Sequence, residues 1–243
     1  PSADARHEGK AGSWQPRRRM TGQRMDAIRL AGGTSLNYFT GIRWGNSERL
    51  TAVVIPKVGN PYVVTPAFEE DRTRGQLAGG PVEHTDVAIW QEDESPFERV
   101  ATGLKERGIA SGRIGIEETS KFVFADSIAG AAPAMKIVSA TAVIAGCRMI
   151  KSAHELELMR VASQATLKCY EAVFKALKAG MTQNDVSALI NAGYSRPGFP
   201  GFASIRVGEY TALPHGPPPP PPPRAGPIPV PPARWAGGFA VRP

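Results

Sequence analysis

Histidine and cysteine are the side chains that most directly indicate catalysis or metal binding, and this sequence has few of either. Its four histidines, at positions 7, 84, 154 and 215, are scattered, so they do not form a metal-binding motif. From the residues alone, His215 is interpreted as a loop histidine that follows a predicted strand. Cys147 and Cys169 are too few for a disulfide scaffold and are interpreted as thiols in a reducing compartment.

Two acidic triplets and one glycine-containing segment could also bind ligands. Residues 69–71 (Glu-Glu-Asp) and 92–94 (Glu-Asp-Glu) carry hard oxygen ligands. Neighbouring side chains on a helix or strand point in different directions, so these triplets are interpreted as surface. Residues 32–35 (Gly-Gly-Thr-Ser) lack the lysine and the spacing of a phosphate-binding loop. This segment is predicted to form a tight turn.

The net charge of +7 is confined to the two ends of the chain. Residues 1–29 have seven basic and three acidic side chains, and residues 217–243 have three arginines and no acid. Residues 30–216 have 19 of each sign, which leaves no net charge there. A nucleic-acid-binding domain needs basic residues on its folded body, so no nucleic-acid partner is expected.

Length and hydrophobicity predict a globular cytoplasmic protein of one large or two modest domains. None of the apolar segments approaches the roughly 18 residues that cross a membrane, so no membrane partner is expected. Residues 21–29 are polar and charged where a signal peptide would be apolar, which argues against secretion.

The elements that must position these side chains mix strands and helices in the first half of the chain. Residues 50–55 and 61–65 are rich in β-formers and flank a loop that contains glycine, which predicts a hairpin. The predicted fold class is therefore α/β. The other predicted strands are 85–90, 113–117 and 135–138, and the predicted helices are 68–77, 96–107 and 121–129.

From Ser152 onwards the apolar residues recur at helical spacing. Ser152 and Glu155 have the spacing of a capping box, and Gly180 is the predicted end of a helix of about 28 residues, or roughly 42 Å. Thr182 and Asp185 are predicted to cap a second helix over residues 183–192. A strand is predicted for residues 202–213.

Both ends of the chain are predicted to be disordered. Residues 1–24 are basic and rich in glycine and serine. In residues 217–243, twelve of the 27 residues are proline, and seven of these are consecutive. Proline fixes φ and has no N–H, so the second segment is expected to be extended or disordered.

Three motifs together resemble the creatinase/aminopeptidase P/prolidase family, which has the pita-bread fold of the M24 metallopeptidases. They are Tyr-Phe-Thr-Gly-Ile-Arg-Trp at 38–44, Arg-Met-Ile-Lys-Ser-Ala-His-Glu at 148–155 and Leu-Pro-His-Gly at 213–216. The resemblance implies a creatinase-like N-terminal α/β domain at 25–147. It also implies an incomplete α+β pita-bread domain at 148–216, before a proline-rich tail at 217–243. The implied activity is hydrolysis of the bond before proline.

The same resemblance implies two divalent metal ions, Mn, Co or Zn, held by two Asp, one His and two Glu. Two such cations lower the pKa of a shared water and stabilise the oxyanion. In the family all five ligands follow the Pro-His-Gly motif, but this sequence has no Asp or Glu after Glu209. By resemblance, His215 aligns with an active-site histidine that positions substrate and transfers a proton near the metals, which suits a side chain that exchanges protons near neutral pH. The expectation is that the chain holds no metal, and that His215 has at most an auxiliary catalytic role.

A homodimer is expected on two grounds. In the family the N-terminal domain commonly contributes to a dimer, and residues 38–44 match one of its loops by resemblance. Trp44 also lies between Arg43 and the polar segment 45–47, which suggests a partly exposed aromatic. Exposed tryptophan beside arginine is typical of an interface, so Trp44 and Arg43 are the candidate partner residues.

Two functions remain open. The first is a truncated, inactive relative of an Xaa-Pro dipeptidase or aminopeptidase. The second is a non-catalytic assembly protein, whose proline-rich tail binds a partner with an aromatic groove. The tail is interpreted as a truncation or shifted reading frame rather than a genuine extension, and the nucleotide sequence would distinguish the two. Nothing in the sequence selects the guanidino substrate of creatinase.

Overall fold

The computed structural model describes residues 15–195 with the exception of 79, 81 and 83. The chain divides after Lys151 into two compact units. The predicted strand at 202–213, His215 and the proline-rich tail at 217–243 lie outside the described residues. No helix among residues 15–195 is both long enough and apolar enough to cross a membrane.

The first unit alternates strands with helices. Its strands are β1 (Ala27–Leu30), β2 (Ala52–Pro56), β3 (Tyr62–Pro66), β4 (Asp86–Trp90), β5 (Gly112–Ile116) and β6 (Met135–Ser139). Its helices are α1 (Gln15–Gly22), α2 (Thr34–Thr40), α3 (Glu70–Leu77), α4 (Pro96–Glu106), α5 (Phe122–Ala131) and α6 (Thr141–Arg148). A single 3₁₀ turn, Ala67–Glu69, precedes α3.

The six strands form one sheet in the order β4-β3-β2-β1-β5-β6. Strand β2 is antiparallel to both of its neighbours, whereas β1, β5 and β6 are mutually parallel. Strands β3 and β4 are also parallel to each other. The carboxyl ends of β1, β5 and β6 therefore meet side by side at one edge of the sheet.

Alternate strand residues build two cores, one on each face of the sheet. On β2, Val54 contributes to one core and Val53 to the other. Helices α4 and α5 cover the first face with residues such as Leu104 and Ile128. Helices α1, α2 and α6 cover the second face, where Met20 is fully buried. The α/β fold class is confirmed.

The hairpin of β2 and β3 and the start of α4 are confirmed. Gly59 has φ +90° in the hairpin loop, a conformation that suits glycine. The Ser95 hydroxyl accepts a hydrogen bond from the Glu98 N–H at 3.3 Å, and Pro96 occupies the first helical position.

Four elements were not predicted, and one of them, α2, begins at Thr34 within the segment 32–35 that was expected to form a tight turn. Residues 15–22 form α1, although the segment 1–24 was expected to be disordered; burial of Met20 against the second face explains the order. Strand β1 has only four residues and includes a charged Arg29, which hides its apolar character in the sequence. Helix α6 is eight residues long and has two alanines and a glycine, so its apolar stripe is short.

The second unit contains α7 (Ala153–Ala176) and α8 (Gln183–Ser195). The capping box is confirmed, because Ser152 Oγ accepts from the Glu155 N–H and Glu155 Oε2 accepts from the Ser152 N–H. Helix α7 ends three residues earlier than predicted, with Leu177 as its C-cap, and Gly180 lies in the following turn with φ +91°. Cys169, Val173, Val186, Ile190 and Tyr194 form the core between the two helices.

Candidate functional site

His215, the catalytic candidate, lies outside the described residues. The other histidines that the structure describes do not gather into a site. His84 is exposed in a turn before β4, and His154 lies in the first turn of α7.

The acidic triplets form surface ion pairs. Glu70 pairs with Arg74 at 2.7 Å, and Glu92 pairs with Arg49 at 2.9 Å. Asp71 is exposed. These placements agree with their interpretation as surface residues rather than a cation site. Exposed pairs of this kind contribute little to stability.

A metal centre has no basis in the described part of the chain. Between residues 15 and 195, three or more His, Cys, Asp or Glu side chains never come close enough together to hold an ion. The residues of this range therefore do not fit the dinuclear group of the family, and no chemical step through a metal is derived from them.

Trp44 and Arg43 lie in the loop after α2. That helix ends at Gly41, which has φ +76° and donates its N–H to the Asn37 carbonyl at 2.8 Å. Trp44 is half-buried, packs against the second core, and carries the Arg72 guanidinium 4.2 Å from its ring centroid. Arg43 is exposed. The structure thus places an arginine–tryptophan stack at a partly exposed position.

A cleft of about 370 Å³ lies at the carboxyl ends of β1, β5 and β6 in the first unit. Residues 32–35 after β1 and 117–119 after β5 form two of its walls. Residues of α6, which follows β6, form a third wall, and Asn46 completes the lining. Of the predicted turn at 32–35, residues 32 and 33 form a turn, whereas 34 and 35 begin helix α2. Ligands of open α/β sheets bind at such carboxyl ends.

A network of charged and polar groups lines this cleft. The Arg148 guanidinium donates to Ser35 Oγ at 2.9 Å, and Ser35 is itself buried. Glu117, also buried, accepts a hydrogen bond from the Ala31 N–H at 3.0 Å through Oε2. These groups are held in place by backbone and hydroxyl partners, which is the arrangement expected of a preorganised binding site.

A second carboxylate lies at the rim of the cleft. Glu118 is exposed, and its Oε2 accepts a hydrogen bond from the Thr141 hydroxyl at 2.6 Å. The Thr141 hydroxyl also lies 2.8 Å from that of Ser139. The cleft therefore presents one guanidinium and two carboxylates.

Beside the cleft lies a fully buried cation, Arg29 on β1, which is 1% exposed. Burial lowers the pKa of its guanidinium to about 10, while the charge of Glu117 acts in the opposite direction. Its Nη1 contacts the Ser120 hydroxyl at 2.5 Å, and its guanidinium lies 5.3 Å from the centroid of the Phe124 ring. The Glu117 carboxylate compensates this buried charge as well as lining the cleft.

Sequence reasoning missed Arg148 and Glu117 as site residues. Glu117 directly follows β5, and Arg148 ends α6, the helix that follows β6. Correct assignment of β1 and α6 would therefore have placed the two residues at the same site. The signal that could have identified this site is the position of residues at the carboxyl ends of strands, not a sequence motif.

Comparison with known families gives two matches. Residues 15–150 match the Creatinase/Prolidase N-terminal domain, and residues 157–228 match Metallopeptidase family M24. The boundary between these matches agrees with the division of the chain after Lys151.

Related curated proteins are described as dipeptidases or peptidases. The probable dipeptidase PepE of Mycobacterium tuberculosis is 29% identical over 184 residues, covering 76% of this chain and 47% of the relative. Across three other curated relatives the matched share of their length is 44–54%, so the chain spans about half the length of the relatives it matches.

Solved structures of similar proteins have the same fold. Dipeptidase PepE from Mycobacterium ulcerans matches with a TM-score of 0.73 and 25% identity, covering 83% of this chain and 53% of that one. Prolidase from Thermococcus sibiricus matches with a TM-score of 0.69 over 84% of this chain and 55% of its own; at 20% identity this shows the fold alone. The Creatinase/Prolidase N-terminal match covers more than half of the residues. This chain belongs to the creatinase/prolidase family of M24 metallopeptidases.

Proposed function

We propose that this chain is the front part of an Xaa-Pro dipeptidase or aminopeptidase, and that the 243 residues alone do not hydrolyse peptide bonds. The first part of this proposal, that the chain is the front part of such an enzyme, rests on the two consecutive family matches over residues 15–150 and 157–228. The family is metal-dependent, so hydrolysis requires a ligand set for the ions.

The distribution of carboxylates supports the second half of the proposal. The sequence has no Asp or Glu after Glu209, where the family resemblance expects four carboxylate ligands. No cluster of three potential ligands occurs in the described range either. Without such ligands no metal-bound water is available to attack the peptide bond.

The test is a combined metal and activity measurement on the purified 243-residue chain. After incubation with Mn²⁺, Co²⁺ or Zn²⁺ and desalting, we expect less than one equivalent of tightly bound metal by elemental analysis. We also expect no release of proline from glycylproline above a protein-free blank. Two tightly held ions per chain, or metal-dependent turnover, would contradict the proposal.

His215→Ala is the matched control for trace activity. If a low rate comes from a contaminating peptidase, this variant has the same rate as the parent chain. A rate that falls in His215→Ala belongs to the chain itself and counts against inactivity, because His215 is the catalytic candidate.

A second candidate function is binding rather than catalysis, and the run of seven consecutive prolines from residue 217 favours it. Such runs preorganise an extended peptide that aromatic-lined grooves recognise. In this alternative the N-terminal unit mediates assembly while the tail contacts a partner.

The peptide 217–243 tests the second candidate. Immobilised peptide should retain a proline-binding domain of the SH3 or WW class, and a peptide with alanine at residues 217–223 should not. Equal retention by both peptides, or by neither, would remove the tail as a binding element.

A further inference from the structure

The cleft at the carboxyl ends of β1, β5 and β6 has a composition that the peptidase function does not use. All its lining residues belong to the first unit. Its volume of about 370 Å³ lies within the range of roughly 300–1,000 Å³ typical of small-molecule sites. It is therefore large enough for a compact polar ligand.

The local backbone brings the walls of the cleft close together. A Cβ atom on Gly32 would overlap the carbonyl of Gly45, so only glycine permits this approach. The contact sets the neighbouring Asn46 against residues 32–35. A Cβ at Gly33 would meet no atom within 4 Å, which shows that the backbone there borders open space.

Polar side chains around the cleft have unused hydrogen-bonding capacity. Among residues that the structure describes, the side chains of Thr34, Asn46 and Thr119 make no hydrogen bond within the chain. Arg148 uses Nη1 for Ser35 and lies 5.6 Å from the centroid of the Tyr38 ring, and it forms no ion pair with a described residue. Its remaining donors can therefore bind a ligand.

The charge balance of the cleft selects the class of ligand. Glu117 compensates the buried Arg29, so the charges left for a ligand are those of Arg148 and Glu118. A simple anion would be attracted by Arg148 and repelled by Glu118. A cation alone would be attracted by Glu118 and repelled by Arg148. A ligand that carries both charges matches both parts, because a guanidinium binds a carboxylate in bidentate geometry and a carboxylate accepts hydrogen bonds from an ammonium.

We infer that this cleft binds a zwitterionic amino acid or short peptide, with its carboxylate on Arg148 and its ammonium group on Glu118. Thr34, Thr119 and Asn46 supply hydrogen bonds between these two ends. The site lies in the N-terminal unit and does not depend on His215 or on the peptidase activity proposed above.

The test is calorimetric titration of the full 243-residue chain with glycylglycine. Glycylglycinamide lacks the carboxylate, and N-acetylglycylglycine lacks the ammonium group. The affinity of each should be lower than that of glycylglycine by a factor of at least about ten, which is expected when a charge-assisted hydrogen bond is lost. Inorganic phosphate should not compete. Competition by phosphate, or equal binding of the two blocked peptides, would overturn the assignment.

Variants locate the site. Arg148→Gln and Glu118→Gln should each weaken glycylglycine binding about tenfold, whereas Arg74→Gln, a matched exposed arginine on α3, should leave it unchanged. Glu118 is exposed, so Glu118→Gln decides the question if Arg148→Gln fails to fold. His215→Ala should bind as the parent chain does. Unchanged binding in Glu118→Gln, weakened binding in His215→Ala, or no detectable binding to the parent chain would each overturn the inference.

Discussion

Tyr62 shows how one side chain fixes a helix to the sheet. It lies on β3 with its ring fully buried, and its hydroxyl donates to the Val100 carbonyl on α4 at 2.6 Å. Burial raises the pKa of this phenol well above its ordinary value. The Arg107 guanidinium lies 4.3 Å from the centroid of the ring. Helix α4 can approach this closely because residue 103 has no side chain.

We predict that Gly103→Ala destabilises the chain by about 1–3 kcal/mol, the usual cost of overpacking a core. The new Cβ would overlap the ring of Tyr62, which is fully buried. Gly75→Ala is the matched control, since Gly75 lies in helix α3 and its Cβ would meet no atom within 4 Å. That change should stabilise by about 0.5–1 kcal/mol. Urea denaturation measures the free energy of unfolding of both variants. An equal change in this free energy in the two variants would refute the clash.

Individual site residues were only partly predictable. Trp44 was identified from its polar neighbours, and the structure places it at a half-buried position. Its stacking on Arg72, 28 positions later in the sequence, has no local signal. Glu117 and Arg148 likewise become neighbours of Ala31 and Ser35 only through the order of the sheet. Contacts between distant positions depend on topology, which residue types and spacing do not specify.

A pH effect is predicted at Tyr170. Burial, and after it the charge interaction and hydrogen bond with Tyr194, raise the pKa of Tyr170 to about 12, compared with about 10 in an unfolded chain. The unfolded state therefore releases its proton first. The resulting stability is complete below about pH 10 and is lost as the pH rises towards 12. Tyr170→Phe should lose less stability than the parent chain over this interval, measured by thermal unfolding. Parallel losses in both proteins would contradict the shift.

At the scale of elements, signals confined to a few adjacent residues were the reliable ones. The capping boxes at Ser152 and Thr182 depend on contacts within four residues, and the hairpin depends on the short glycine-containing loop between β2 and β3. The structure contains all of them. By contrast, β1 and α1 owe their existence to burial between distant parts of the chain. Such short elements contain too few residues to show the apolar periodicity from which strands and helices are predicted.

The capping box makes a prediction for α7. Ser152→Ala removes the hydroxyl that accepts the Glu155 N–H and should cost about 1 kcal/mol. Ser163→Ala, at an exposed position within the same helix, is the control and should be neutral or slightly stabilising. Urea denaturation followed by circular dichroism provides the comparison. A cost in Ser163→Ala as large as in Ser152→Ala would mean that the hydroxyl does not act as a cap.

Helix α7 also has an extensive exposed apolar surface. Six of its large side chains are at least 45% exposed: Leu156, Leu158, Met159, Val161, Leu167 and Phe174. At about 25 cal/mol per Å², leaving a few hundred Å² of apolar surface in water forgoes several kcal/mol. Exposed patches of that size favour self-association.

We therefore expect amides of residues 153–195 to exchange with deuterium faster than those of the sheet strands in the first unit. Replacing Leu158 and Leu167 by lysine should reduce aggregation without lowering the unfolding midpoint, because both side chains are more than half exposed. Val54→Lys, a buried strand position, is the opposite control and should unfold the first unit. Uniform exchange across both units in a monomeric sample would argue against this prediction.

For the whole molecule, the proposed homodimer remains to be tested, and the loop after α2 is its candidate contact. The stack of Arg72 on Trp44 fixes an aromatic surface that is only partly covered by the second core. Exposed Arg43 adds a charge beside it. Tryptophan and arginine are among the residues that most often dominate the binding energy of interfaces.

Trp44→Ala should therefore weaken dimerisation by about 2 kcal/mol or more. Because Trp44 also packs against the core, this variant alone could lose the dimer through loss of folding.

Arg43→Glu separates the loss of the dimer from the loss of folding. The side chain of Arg43 is exposed, and its backbone N–H, which donates to Gln76 Oε1 at 2.7 Å, is retained in the variant. It should shift sedimentation towards the monomer with an unchanged unfolding midpoint. Arg18→Glu, an exposed arginine on α1, should leave the dimer intact. A parent chain that sediments as a monomer at micromolar concentration, or a dimer that survives both loop variants, would exclude this loop from the interface.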